Sequence, residues 1–146
     1  MGTDDDLSEL IGIEVNGEGI SPKRMRVETG SGEILVGRDA KPLELLLTAL
    51  AGCVNSAGHQ VARDMDLDID ELHVSVNAAY DPAKYLGEET DARAGFEGFD
   101  VTVDVESDAD AATIDEWLAA VERRCPVSDN LQDATPVRIE RGDRAE

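Results

Sequence analysis

The spacing of apolar and polar positions changes several times along the chain, and each change marks an element. Between Leu7 and Asp39 three short runs have strand character, Leu7–Val15, Arg24–Thr29 and Glu33–Val36. Asn16-Gly17 and Gly30-Ser31-Gly32 supply the turn chemistry between them, so two hairpin connections are expected. Pro42 then opens a long helix expected to reach about Met65, because proline is favoured at the first helical position. From Leu43 to Cys53 this helix is apolar on nearly every side, with Glu44 and Thr48 the exceptions. Such a helix needs cover from its own fold or from a partner subunit.

Downstream the period shortens to two. Leu72, Val74, Val76, Ala78 and Tyr80 alternate with His73, Ser75, Asn77 and Ala79, which reads as a strand with one buried face. Asp81–Glu97, with Pro82, Gly87 and Gly95, reads as a long loop. A second alternating strand places Val101, Val103 and Val105 inward. Ile114, Trp117, Leu118 and Val121 line one side of an amphipathic helix over Ala111–Arg124. Pro126–Gln132 is expected as a short helical turn and Pro136–Arg141 as a last strand. Strands, long helix, strands, helix and strand in that order make an α+β domain, without the strand–helix–strand alternation of a doubly wound parallel sheet.

Length and composition narrow the class. The chain has 146 residues, enough for one domain (7–146) behind a frayed acidic terminus at 1–6. Hydrophobic residues make up 41% but aromatics only 3%, so the core must be aliphatic. The start, Met-Gly-Thr-Asp-Asp-Asp, carries no leader pattern, and the longest apolar run, Leu45–Val54, is about half of what a bilayer needs. A cytoplasmic location is expected. Thirty-three acids face thirteen bases, for a net charge of −20, and the acids are scattered rather than blocked. That pattern reads as a solvated surface suited to a salt-rich cytoplasm, where screening relieves self-repulsion. It argues against direct nucleic-acid binding, which needs a basic patch.

Two cysteines, Cys53 and Cys125, are the candidate chemistry. The bland reading is that both are small buried hydrophobes. A zinc reading would join them to His59 and His73, but no tight ligand pair exists, and Cys53 and His59 lie about 120° apart around one helix. A reactive reading starts from Cys125. It follows Arg123 and Arg124, and as N-cap of a turn begun by Pro126 it would face free N–H groups, both of which lower a thiol pKa. Cys53, deep in an apolar helix, would need a cation from elsewhere, with Arg24, Arg26 and Arg38 the upstream candidates.

The run Pro42-Leu43-Glu44-Leu45-Leu46-Leu47-Thr48-Ala49-Leu50-Ala51-Gly52-Cys53 resembles the signature helix of the OsmC/Ohr family of osmotically inducible proteins and organic hydroperoxide reductases. Arg123-Arg124-Cys125-Pro126-Val127-Ser128 resembles that family's second-cysteine segment, and the likeness spans roughly Ile11 to Ile139. The resemblance implies antiparallel sheets around a long buried helix in an intertwined homodimer with active sites at the subunit interface. It implies a thiol peroxidase for organic hydroperoxides, with Cys53 attacking and Cys125 resolving. It also implies an external dithiol reductant, lipoyl-type in one branch, and no bound cofactor. A catalytic Arg is expected from Arg38 or Arg26, and a partner acid from Glu44. In the reductase branch the acid directly follows the proline; here Leu43 stands there, and Glu44 lies about half a turn round from its own Cys53. The alternative on the same scaffold is a redox-sensing or small-molecule-binding dimer without turnover.

Overall fold

The computed structural model describes residues 10–142. The acidic terminus expected at 1–6 and the start of the first expected strand lie outside them. The chain forms two compact units, the first ending at Leu45 and the second starting at Leu46.

The first unit is an antiparallel meander of β1 (Asn16–Ser21), β2 (Arg24–Glu28) and β3 (Glu33–Val36), in the order β1-β2-β3. The second and third strands fall where the sequence put them; the first does not. Residues 10–15 are irregular, and Asn16 and Gly17, expected as a turn, pair with Glu28 and Val27. Pro22-Lys23 makes the turn instead, with Ser21 opposite Arg24. Pairing decides the matter. Ile11 and Ile13 alternate correctly but have no ladder partner, and they stay 87% and 90% exposed. The β2–β3 connection forms as expected, with Thr29 Oγ1 accepting the Ser31 and Gly32 amides at 3.0 and 3.1 Å. After β3 the chain turns sharply at Gly37, whose φ of +100° suits glycine, and a Cβ there would collide with the Lys23 carbonyl.

Helix α1 (Pro42–Asp64) starts at the expected proline and passes into the second unit. Its first turn is capped from within, because Glu44 Oε1 accepts the Lys41 N–H at 2.8 Å, half of a capping box. The second unit continues with β4 (Glu71–Tyr80), β5 (Phe96–Glu106), α2 (Ala111–Arg124) and α3 (Pro126–Gln132). β4 and β5 pair antiparallel, setting Leu72 opposite Val105, Val74 opposite Val103 and Val76 opposite Val101. β5 begins at Phe96, earlier than Val101, because Phe96 and Phe99 extend its ladder and stack edge to face. Asp110 caps α2 by accepting the Thr113 N–H at 2.9 Å.

One face of this sheet packs with α1 and α2. Leu50, Val54, Val61, Ala62, Trp117, Val121 and Cys125 form the buried core, joined by Leu72, Val74, Val103 and Val105. Val101, expected inward, lies outside that cluster and keeps 39% of its surface. Trp117 is fully buried, and its Nε1–H donates to the Gly58 carbonyl at 2.8 Å. The approach depends on Gly58, since a Cβ there would stand 3.0 Å from the indole. The segment expected as a last strand, Pro136–Arg141, is irregular. Val137 and Ile139 are 82% and 92% exposed, again for want of a pairing strand.

Candidate functional site

Sequence positions 72 apart meet where α1 passes the α2–α3 junction. Cys53 lies three turns into α1, half-buried against the core. Cys125 ends α2 and begins α3, with extended φ and ψ of −84° and 110°, and it is 1% exposed. Pro126 enforces this break: it stands at the first position of α3 and disfavours helical backbone in the residue before it. The two thiols are close enough for Cys125 to raise the Cys53 thiol, and both are free.

The setting of Cys53 is apolar. Burial pushes its thiol up, the Val127 backbone N–H works against that, and the neighbouring Cys125 thiol raises it further. No arginine, lysine or carboxylate takes part. The charge expected beside Cys125 is engaged elsewhere, because Arg124 Nη2 lies 2.8 Å from Asp64 Oδ2 at the end of α1, and Arg123 is exposed. Cys125 is the N-cap of α3, yet its side chain caps nothing. The amide expected to serve Cys125 serves Cys53 across the gap. Chemically, the pair holds two thiols within reach of each other, the half-buried one the more open to solvent. Oxidation of one sulfur can therefore be followed by closure with the other.

Comparison with known proteins gives the family and the fold. A sequence model of the family described as OsmC-like protein matches residues 35–140. The chain belongs to the OsmC-like family. No curated protein matches. Among solved structures, an OsmC-like protein from Mycoplasma pneumoniae is 19% identical with a TM-score of 0.74, over 85% of this chain and 89% of that one. An organic hydroperoxide resistance protein OsmC from Legionella pneumophila is 16% identical with a TM-score of 0.63, over 84% and 90%. The organic hydroperoxide resistance protein OhrB of Bacillus subtilis is 21% identical with a TM-score of 0.56, over 85% and 93%. These likenesses carry the OsmC-like α+β fold.

The other expected site residues of this OsmC-like chain have local partners. In the first unit, Arg26 Nε pairs with Glu33 Oε2 at 3.0 Å, and Arg38 Nη2 with Asp39 Oδ1 at 3.5 Å. Glu44 is the cap of α1. His73 sits on the solvent side of β4, its Nε2 3.4 Å from Glu71 Oε1, and His59 is exposed on α1. No group of three or more His, Cys, Asp or Glu with metal-binding geometry occurs among the described residues. No helix among them is long and apolar enough to cross a membrane. Cys125, expected beside two arginines at the start of a helical turn, is the more buried of the two cysteines, because Trp117 and Val121 bring its helix end into the core. Sequence reasoning pointed the free amides behind Pro126 at Cys125 and did not foresee that Val127 would serve Cys53 instead. It also missed the Asp64–Arg124 pair, which hides among many acids.

Proposed function

We propose that this OsmC-like protein is a thiol-dependent peroxidase that reduces organic hydroperoxides through Cys53 and Cys125. The observation that carries this reading is the adjacency of two free thiols, one half-buried and one fully buried. The Cys53 thiolate attacks the peroxide, the O–O bond breaks, the alcohol leaves, and Cys53 becomes a sulfenic acid. The Cys125 sulfur then attacks the sulfenic sulfur. An S–S bond forms, the S–O bond breaks, and the hydroxyl departs as water with the thiol proton. An external dithiol, of lipoyl type in this reading, returns both thiols and is itself oxidised to a disulfide. Small apolar neighbours of Cys53, among them Ala57 and Leu50, suit an alkyl chain.

The Legionella pneumophila and Bacillus subtilis neighbours are named organic hydroperoxide resistance proteins, which supports this reading. Arg26 or Arg38 supplies the activating cation in this reading, and a second copy of the chain covers the apolar side of α1 at Leu43 and along the helix. The homodimer is checked by light scattering; a stable 15.7 kDa monomer contradicts it. A second reading, a redox sensor or binder without turnover, is favoured by the raised Cys53 thiol and by Leu43 at the position of the reductase-branch acid. Turnover of cumene hydroperoxide with dihydrolipoamide decides between them. Sustained peroxide loss supports the enzyme, and a single stoichiometric oxidation supports the sensor.

A further inference from the structure

Arg124 and Cys125 are consecutive residues that reach two points on one face of α1. Cys53 and Asp64 are eleven residues apart in that helix, about 20° round and roughly 16 Å along. The end of α2 is thus fixed at Asp64 through Arg124 while Cys125 is set against Cys53. Gln60, on the same stripe, donates to Asp64 Oδ1 at 3.3 Å and orients the carboxylate whose Oδ2 meets Arg124. The hydrogen bond from Arg124 holds the Asp64 carboxyl below the usual carboxylate range, so Asp64 keeps its charge into mildly acidic pH.

The junction needs such a restraint. Disulfide geometry tolerates only a narrow range, with Cβ atoms about 3.5–4.5 Å apart. Cys125 has non-helical backbone, makes no capping bond of its own and precedes a proline without an N–H. The buried hydrogen bond from Trp117 to Gly58, which also joins α2 to α1, lies eight residues back in the sequence.

We propose that the Asp64–Arg124 ion pair is a positioning clamp that holds Cys125 within reach of Cys53, and so sets the rate at which the oxidised pair closes. It touches neither the hydroperoxide nor the sulfurs. The inference rests on the Cys53/Cys125 redox reading but is tested apart from it. Both side chains are roughly half exposed, so their replacement spares the core.

The experiment uses the full chain with Asp64→Asn, Arg124→Gln and the charge-exchanged double variant Asp64→Arg/Arg124→Asp. Closure is timed by quenched alkylation and mass after one equivalent of cumene hydroperoxide, and separately after diamide. Diamide takes two electrons and two protons from the thiols to become the hydrazine, so it forms the disulfide without peroxide. Sulfenic acid at Cys53 is trapped in a Cys125→Ser background. Each single variant should close about threefold more slowly with either oxidant, the magnitude of an exposed ion pair. The charge-exchanged variant should recover, and the rate of sulfenic acid formation should be unchanged. Closure at the wild-type rate in both single variants, or a double variant as slow as they are, overturns the clamp. Absence of sulfenic acid at Cys53 in every background overturns the peroxidase reading instead, and the diamide arm still decides the clamp.

Discussion

Cys53 and Cys125 share one contact but reach it from opposite kinds of backbone. Cys53 stands in the middle of a 23-residue helix, where its position is fixed by a continuous hydrogen-bond ladder. Cys125 stands at a break between two helices, its backbone extended and its side chain sealed in the core. The continuous helix carries the sulfur that solvent reaches, and the helix break carries the one that is hidden. An attacking thiol benefits from fixed geometry toward a substrate, whereas a resolving thiol has to move by a fraction of its own length to close a bond. Local charge, the feature most visible around Cys125 in the sequence, does not distinguish the two, because Arg124 is engaged with Asp64.

The harshest test of this contrast is to remove each sulfur. Cys53→Ser should reduce hydroperoxide turnover by roughly 10³-fold or more, the scale of losing a nucleophile. Cys125→Ser should still accept one equivalent of oxidant and hold it as a sulfenic acid on Cys53, trapped by a dimedone-type reagent. Rapid sulfenic acid on Cys125 in the Cys53→Ser protein would reverse the roles.

Next in size is the packing that sets the hidden thiol in place. Gly58→Ala puts a methyl group 3.0 Å from the Trp117 ring, against a side chain with no exposed surface to yield into. We expect a loss of about 1–3 kcal/mol, read from denaturant unfolding. Trp117→Phe removes the hydrogen bond to the Gly58 carbonyl and leaves space, for a loss of the same order. An unchanged midpoint in Gly58→Ala would mean that the indole is not confined by α1.

Much of this arrangement was legible beforehand. The long helix from Pro42, the α2 stripe of Ile114, Trp117, Leu118 and Val121, and the alternation in β4 all follow from periodicity, because burial against one core dictates them. The irregular stretches at 10–15 and 136–141 alternate as strands do, but alternation cannot state whether a partner strand is present. At the site the two cysteines were legible and their order of exposure was not. Exposure at Cys125 depends on how α2 packs, and the Val127 amide that meets Cys53 depends on where α3 starts, both tertiary facts.

The thiol's pH dependence sharpens the comparison further. Burial is the first cause of the raised Cys53 thiol, and Cys125 adds to it, so iodoacetamide should modify Cys53 with a profile centred above that of a free cysteine, about pH 8.5. Cys125→Ala removes the neighbour's part and should move that profile to lower pH. The sign for stability follows from the same shift. The folded state holds the Cys53 proton more tightly than the unfolded chain does. Its contribution is therefore full below about pH 8.5 and is lost as pH rises toward the folded value. A profile that stays fixed in Cys125→Ala would mean the two sulfurs do not sense each other.

Salt should separate the surface from the site, and its effect on the thiols is the smallest change expected. With 33 acids against 13 bases, and no buried polar or charged side chain among the described residues, the charge sits where ions can screen it. Diluting salt from molar to millimolar lengthens the screening range from about 3 Å toward 30 Å, so carboxylates that ignored one another begin to repel across the surface. The melting temperature should fall over that dilution. The Cys53 profile should not follow it, because its causes are burial, one backbone amide and one neighbouring thiol, with no surface acid or base among them. The two measurements are made on the same samples, at salt concentrations where circular dichroism still reports a folded chain. A flat melting temperature would remove the reading of the acidic surface as salt-adapted. A Cys53 profile that climbs as salt is withdrawn would show that the carboxylate field reaches the thiol. In that case the contrast between a charged exterior and an electrically quiet cysteine pair would fail.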